Sequence, residues 1–259
     1  AESALLRRRV APLVPHAIGP DGAGVPEGWP TVVGRRWPVD ATNAVKAAAR
    51  ASKASVAELC MRDLQAAAGT WRASLGASDP QAWVRLGAAV SLRQKAPGSW
   101  PAANLFAVTV IDRQQLSLAK RERLLRRARE DMALVDKWRL GYAFWMLLWL
   151  RRWWPGGIRS YARRRIVRMT LVMSYIGKVF PRTRMTREGQ HPAVPGAVLE
   201  EIQGFAPTRP GTPVCLDVAI IFGRLNGHLN FDSRVISRAQ AEALMDEFAR
   251  QLEASVAGQ

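Results

Sequence analysis

Cysteine, histidine and acidic residues are all scarce in this sequence, and each scarcity narrows its chemistry. Cys60 and Cys215 are the only cysteines. They lie far apart without a second ligand at metal spacing, so they read as free core thiols of a reducing compartment, and neither a disulfide nor a metal site is expected. There is no Gly-x-Ser-x-Gly nucleophile elbow, P-loop, dinucleotide fingerprint or metal-spaced His/Cys set, which argues against hydrolase, nucleotide-triphosphatase and metalloenzyme readings. The apolar run from Leu140 to Leu150 is eleven residues, whereas a membrane-spanning helix needs about twenty. The 21 acids face 38 lysines and arginines, a formal net charge of +17. Such an excess suits an anionic partner such as CoA phosphates, acidic lipid or nucleic acid, although arginines coating a solvated surface would give the same balance. A basic, apolar, small-residue signal peptide is also missing at Ala1, as is a starting methionine, so processing or excision of an upstream segment is expected.

What is present suffices for a core. The chain has 259 residues, 48% of them hydrophobic, and ten tryptophans, enough for one large domain or two small ones. Residues 1–38 carry Pro12, Pro15, Pro20, Pro26, Pro30 and Pro38 with several glycines, which excludes a long helix and predicts an extended connecting segment. Asp40 can cap a helix to about Arg50, and Ser55-x-x-Glu58 is a capping box opening a second helix from Val56 to about Trp71. Strands are predicted over Trp83–Leu92 and Asn104–Asp112, with a loop at Pro97–Pro101 between them. A helical pattern runs from Ser117 to about Leu150 and is stopped by Pro155-Gly156-Gly157. A basic helix from Ile158 to about Arg168, a strand over Met169–Met173 and a polar loop over Pro181–Gly196 follow. Further strands are predicted over Val198–Phe205 and Val214–Phe222, then a hairpin turn at Asn226-Gly227 with His228–Asp232 returning. Ser237 caps the last helix, whose apolar face holds Ala241, Leu244, Met245, Phe248 and Leu252.

Between 138 and 168 lies a basic aromatic belt. Trp138, Tyr142, Phe144, Trp145, Trp149, Trp153 and Trp154 are interleaved with Arg139, Arg151, Arg152, Arg159, Arg163, Arg164, Arg165 and Arg168. Trp153, Trp154, Arg163, Arg164 and Arg165 are the candidates for contact with an anionic membrane, where indoles sit at headgroup level and cations meet phosphate. The other reading packs the aromatics on a sheet or on a missing lobe and leaves the arginines in water. Nucleic acid is the weakest partner, because no recognisable RNA-binding module accompanies the belt.

Several stations occur in a telling order. Ala54-Ser55-Val56-Ala57-Glu58-Leu59 opens a helix; Val90-Ser91-Leu92-Arg93 is followed by Asn104; Ser174-Tyr175-Ile176-Gly177 ends a strand; Asn230 through Arg238 forms a strand-to-helix junction. In that order they resemble the C-terminal lobe of condensation-type acyltransferases. That group includes the wax ester synthase/diacylglycerol acyltransferases and belongs to the chloramphenicol acetyltransferase-like, CoA-dependent superfamily. The resemblance implies an α/β fold, a mixed β-sheet covered by helices, over residues 39–259. It also implies Asn104, Ser174 and Gly177 as substrate-channel residues. Tyr175 departs from the asparagine common at its position.

The catalytic histidine turn of this superfamily is degenerate here. Aligned on the junction, the histidine falls on Ser233, the aspartate on Ser237 and the glycine on Arg238. His16 to Asp21-Gly22 imitates the motif with one residue too many, and His191 has no acid at useful spacing. His228 and Asp232 have the His-x-x-x-Asp spacing, but strand alternation places 228, 230 and 232 in a polar row that reads as a half-exposed strand face sooner than as a catalytic pair. No intact catalytic set is therefore expected in this chain alone. The resemblance implies a partner that completes it, an N-terminal lobe or second subunit carrying His-x-x-x-Asp-Gly. The whole enzyme would move an acyl group from CoA or a carrier thioester to an alcohol or amine, with no bound cofactor, in the cytoplasm or peripherally at a membrane. The alternative is a non-catalytic pseudoenzyme acting as a lipid-surface or protein-interaction module.

Overall fold

A computed structural model describes residues 10–14, 31–77, 79–92, 106–157, 159, 168–179, 186–188, 191–204, 206, 208 and 211–258. Its frame is a six-stranded mixed sheet. In chain order the elements are β1 (Val32–Arg36), α1 (Val39–Ala51), α2 (Val56–Ser74), β2 (Trp83–Ser91), β3 (Phe106–Gln114), α3 (Arg121–Trp138), α4 (Gly141–Arg152), β4 (Leu171–Lys178), β5 (Thr186–Glu188), β6 (His191–Val194), β7 (Ala197–Val198), β8 (Val214–Ile221), β9 (Arg224–Phe231) and α5 (Arg238–Ala257). The large sheet runs β1-β9-β8-β4-β2-β3, and β5-β6-β7 form a small meander of their own. Strand β4 is parallel to β2 and to β8, while the remaining pairs are antiparallel.

Alternation splits the sheet into two unlike faces. Val84, Leu86 and Ala88 on β2, Leu171 and Met173 on β4, Val214, Leu216, Val218 and Ile220 on β8, and Leu225, Leu229 and Phe231 on β9 share one continuous core with α1, α2, α3 and α5. The capping box expected at Ser55 and the cap expected at Ser237 start α2 and α5: Ser55 exchanges hydrogen bonds with Glu58, and Ser237 likewise forms a full capping box with Gln240. Above the core, Asp63 of α2 accepts from Arg62, from Arg121 of α3 and from Ser255 of α5. Asp63 is completely buried, so this network ties three helices together at a point where an unpaired charge would be costly.

Several expectations need correction. The end of the supposed connecting segment, Val32–Arg36, is β1, hydrogen-bonded along β9. Asp40 sits in the first turn of α1, with Pro38 at the cap position. The long helical pattern is two helices beginning at Arg121, broken where Arg139 adopts a left-handed conformation (φ 48°) and Leu140 N–H donates to Val135. The break brings Gly141 so close to the sheet that a Cβ there would lie 2.6 Å from Leu92. The fourth strand runs Leu171–Lys178, past the predicted end at Met173. Of the strand predicted over Val198–Phe205, only Val198 is in a strand, and 199–204 is not.

The hairpin turn is Phe222-Gly223, not Asn226-Gly227. Both turn residues have positive φ (49° and 80°), as a tight right-twisting hairpin requires. Phenylalanine is a poor local signal for that conformation. Its ring is buried with Ala219 and Ile221 and stands edge-on to His191 at 5.3 Å, so packing overrides local preference. Gly227 serves another need: in mid-strand, a Cβ there would sit 3.2 Å from the Trp37 ring.

Asn104, the 97–101 loop, His16, Asp21-Gly22 and the basic segment 160–167 with Arg163, Arg164 and Arg165 lie outside the described residues.

Candidate functional site

The second face of the sheet carries buried polar groups. From β4, β8 and β9 it presents Ser174, Asp217, His228 and Asn230, because Ser174 pairs with Asp217 and Asp217 with His228 in the strand registers. Asn230 is fully buried, and Asp217 and His228 are nearly so. Of the row expected to be a half-exposed strand face, His228 and Asn230 are buried, and Asp232, just past the end of β9, is half-buried. On this side Leu199 and Ile202 pack against Ala219, Ile221 and Phe222, and Asp217 and Asn230 hold the backbone of Ala206. The Asp217 carboxylate accepts from the Ala206 N–H, and Asn230 Nδ2 donates to the Ala206 carbonyl at 2.7 Å. Ser174 also donates to Asp217. Asn230 Oδ1 has no partner among the described residues.

This environment raises the Asp217 pKa to about 6: burial disfavours the charge, and the Ala206 and Ser174 bonds offset only part of that cost. His228 is shifted the other way. Burial pushes its pKa below the ordinary histidine value, opposed by the carboxylate of Glu201. Its ring lies over Gly34, where a Cβ would be 3.3 Å from Cδ2; a side chain at 34 would crowd it. Farther along, Arg36 donates to Asn226 at 3.2 Å and pairs with Glu201, whose pKa it lowers. At the other side of the same face, Arg85 and Asp112 form a buried two-point ion pair at 2.6 and 2.7 Å.

The candidates named from the sequence separate accordingly. Ser174 lies in the row. Gly177 follows a register shift in β4 and takes φ 82°, a left-handed conformation suited to glycine. Tyr175, where the resembling family has asparagine, packs against the main core, and burial pushes its pKa up to about 12. His228 and Asp232 are not brought together: four residues of extended chain set them about 13 Å apart. Asp232 instead closes the turn after β9, accepting two side-chain bonds from Arg234 at 2.8 and 2.7 Å. Ser233 lies in that turn, and Ser237 is the α5 cap. Trp153 and Trp154 are exposed. Among the described residues no group of three His, Cys, Asp or Glu could hold a metal ion. Nor, among the described residues, is any helix long and apolar enough to cross a membrane.

Sequence reasoning missed Asp217. The available signal was a single acid inside the apolar run Val214–Ile221. A cavity of about 150 Å³ lies against Val90, Ser91 and Leu92, one of the stations of the resemblance, where α3 turns into α4. Ligand pockets usually measure about 300–1,000 Å³, so this one is smaller than an ordinary ligand site.

No protein-family model matches the chain, and no curated protein matches its sequence. Solved structures do match its shape. The epimerization domain from the third module of tyrocidine synthetase B is similar at TM-score 0.57 and 11% identity, over 88% of this chain and 48% of that one. The first condensation domain of the calcium-dependent antibiotic synthetase, in complex with a substrate analogue, gives 0.55 and 16%, over 99% and 51%. The nonribosomal peptide synthetase FmoA3 gives 0.61 and 16%, over 99% and 24%. The chain thus has the fold of part of these proteins: it spans about half of the epimerization- and condensation-domain structures and about a quarter of the synthetase.

Proposed function

We propose that this chain is the C-terminal lobe of a condensation-type acyltransferase, which moves an acyl group from CoA or a carrier thioester to an alcohol or amine. The observation that carries the reading is the pairing of coverage: nearly the whole chain overlays condensation-type structures of which it fills about half. In this reading the catalytic histidine belongs to an N-terminal lobe or second subunit, since here Ser233 and Ser237 occupy the histidine-turn positions. Such chemistry relies on aligning thioester and acceptor beside one base, so a lobe that only shapes the channel needs few reactive groups. Ser174 and Gly177 are its channel-side candidates, a reading supported by their pairing with Asp217 and Ala219 on one face of the sheet, and Asn104, outside the described residues, is a third. A wax ester synthase-like preference for long acyl chains and alcohols is one version of the reading.

The test follows free CoA released from acyl-CoA donors in the presence of alcohols and amines. This chain alone should stay at background. The polypeptide extended through the reading frame upstream of Ala1 should turn over, and should lose activity when the histidine of a His-x-x-x-Asp-Gly turn in that extension is replaced by alanine. Turnover by this chain alone that vanishes in His228→Ala would overturn the proposal. An inactive extended polypeptide would favour the pseudoenzyme reading.

A further inference from the structure

Among the described residues, α4 is the one helix that contributes nothing to the buried core. Its attachment is narrow. Gly141 touches Val90, Leu92 and Ala107, Tyr142 Oη donates to the Leu92 carbonyl at 3.4 Å, and Trp145 Nε1 donates to the Phe106 carbonyl at 3.0 Å. These contacts all come from its first turns. Beyond them, Met146, Trp149, Leu150 and Trp153 recur at helical spacing as a continuous exposed stripe, and Trp149 and Trp153 stack edge to face at 5.9 Å. Trp153 and Trp154 are 73% and 76% exposed. A helix this apolar is ordinarily covered.

The charge around it selects the cover. From Lys137 through Arg187 the sequence has thirteen lysines and arginines and no aspartate or glutamate. Exposed Lys137 and Arg139 flank one end of α4, and exposed Arg152 the other. A second copy of the chain would set like charges against each other across the stripe. A protein surface of mixed charge would match this one-signed rim less well. A lipid bilayer with acidic headgroups offers both requirements in one plane, an apolar layer for the indoles and a uniformly negative rim for the cations. Twelve residues make a helix of about 18 Å, too short to span but suited to lying in the interface.

We infer that α4, with Trp153 and Trp154, is a docking surface for anionic membranes, the helix lying in the plane of the headgroups. This is independent of the acyl-transfer reading, and its test uses no turnover.

The full chain is sedimented with vesicles of phosphatidylcholine alone and with about one-third phosphatidylserine, while tryptophan emission is recorded. The mixed vesicles should bind it with a blue shift, and phosphatidylcholine alone should bind it much more weakly. Arg139→Gln with Arg152→Gln should weaken binding about fivefold per arginine at low salt, and far less at about 0.5 M salt, where screening is strong. Trp153→Ala with Trp154→Ala should weaken it roughly tenfold or more at both salts, because apolar insertion is not screened. Far-UV circular dichroism confirms that each variant is folded. The inference is overturned if neither vesicle binds, if the tryptophan pair is irrelevant to binding, or if the chain dimerises through that pair and the dimer ignores lipid.

Discussion

The two faces of the central sheet are built on opposite principles. The first is closed by helices and predominantly apolar, with Leu86, Leu216, Leu229, Phe231 and Phe248 among its most deeply buried side chains. The second buries Asp217, His228 and Asn230 along β8 and β9, beside half-buried Ser174 of β4, and the Arg85–Asp112 pair across β2 and β3. Each polar group there must recover its lost hydration through a partner. Stability alone would favour the first solution on both sides, since well-packed apolar residues often match or exceed a buried ion pair. The difference marks the second face as the one shaped for something besides folding.

The most direct way to break this comparison is to damage the first face. Phe248 of α5 is 1% exposed and meets the Trp37 ring edge-on at 6.1 Å. Phe248→Ala should cost about 3–5 kcal/mol, the usual range for deleting a buried aromatic. Urea unfolding followed by circular dichroism measures it. A loss below about 1 kcal/mol would show that this face is loosely packed.

The same contrast explains what the sequence revealed. The α/β mixed sheet, the capping box at Ser55, the cap at Ser237 and the apolar stripe of the last helix were legible because their causes are local: a hydroxyl at the start of an apolar periodic run, an acid three residues on at Glu58, and apolar residues at helical spacing. The hairpin turn was not, because Phe222 is held left-handed by the packing of its ring, while the better-looking Asn226-Gly227 was needed in mid-strand beneath Trp37. The strand Val32–Arg36 was hidden by proline-rich surroundings, since its pairing partner lies almost two hundred residues away in β9. Ser174 was legible through resemblance, but Asp217 gains its meaning only from the register that sets it beside Ser174 and His228 and from the Ala206 backbone it holds.

Asp217 offers a smaller and more discriminating perturbation. Its folded pKa, about 6, lies above the ordinary carboxyl value of 3.8. Between those values the folded chain keeps a proton that the unfolded chain has released, so this group's contribution to stability falls as pH rises from about 4 to about 6. Asp217→Asn keeps an oxygen for the Ala206 N–H and removes the charge. Relative to the parent, it should be near neutral at pH 4 and gain on the order of 2 kcal/mol by pH 7. His228 has the opposite sign: its depressed pKa costs stability as pH falls below the ordinary histidine range. The variant-minus-parent difference in urea midpoint separates the two. A difference independent of pH would mean that Asp217 is not perturbed, and the second face would lose its strongest electrostatic feature.

The smallest stability effect belongs to the most conspicuous aromatics. Trp153 and Trp154 would each bring a large apolar area into a core, but at 73% and 76% exposure they remove little of it from water. The described contacts of Trp153 are the edge-to-face meeting with Trp149 and the hydrogen bond from its own N–H to Leu150. The backbone bond survives substitution, and alanine favours helix over tryptophan by a few tenths of a kcal/mol. Trp153→Ala with Trp154→Ala should therefore leave the folding free energy within about 0.5 kcal/mol of the parent, as surface substitutions usually do. Thermal and urea unfolding of the free chain, without lipid, gives the value. A loss of about 3 kcal/mol or more would place both indoles in a core, and the contrast between a helix layer that folds the protein and a helix that folding does not require would disappear.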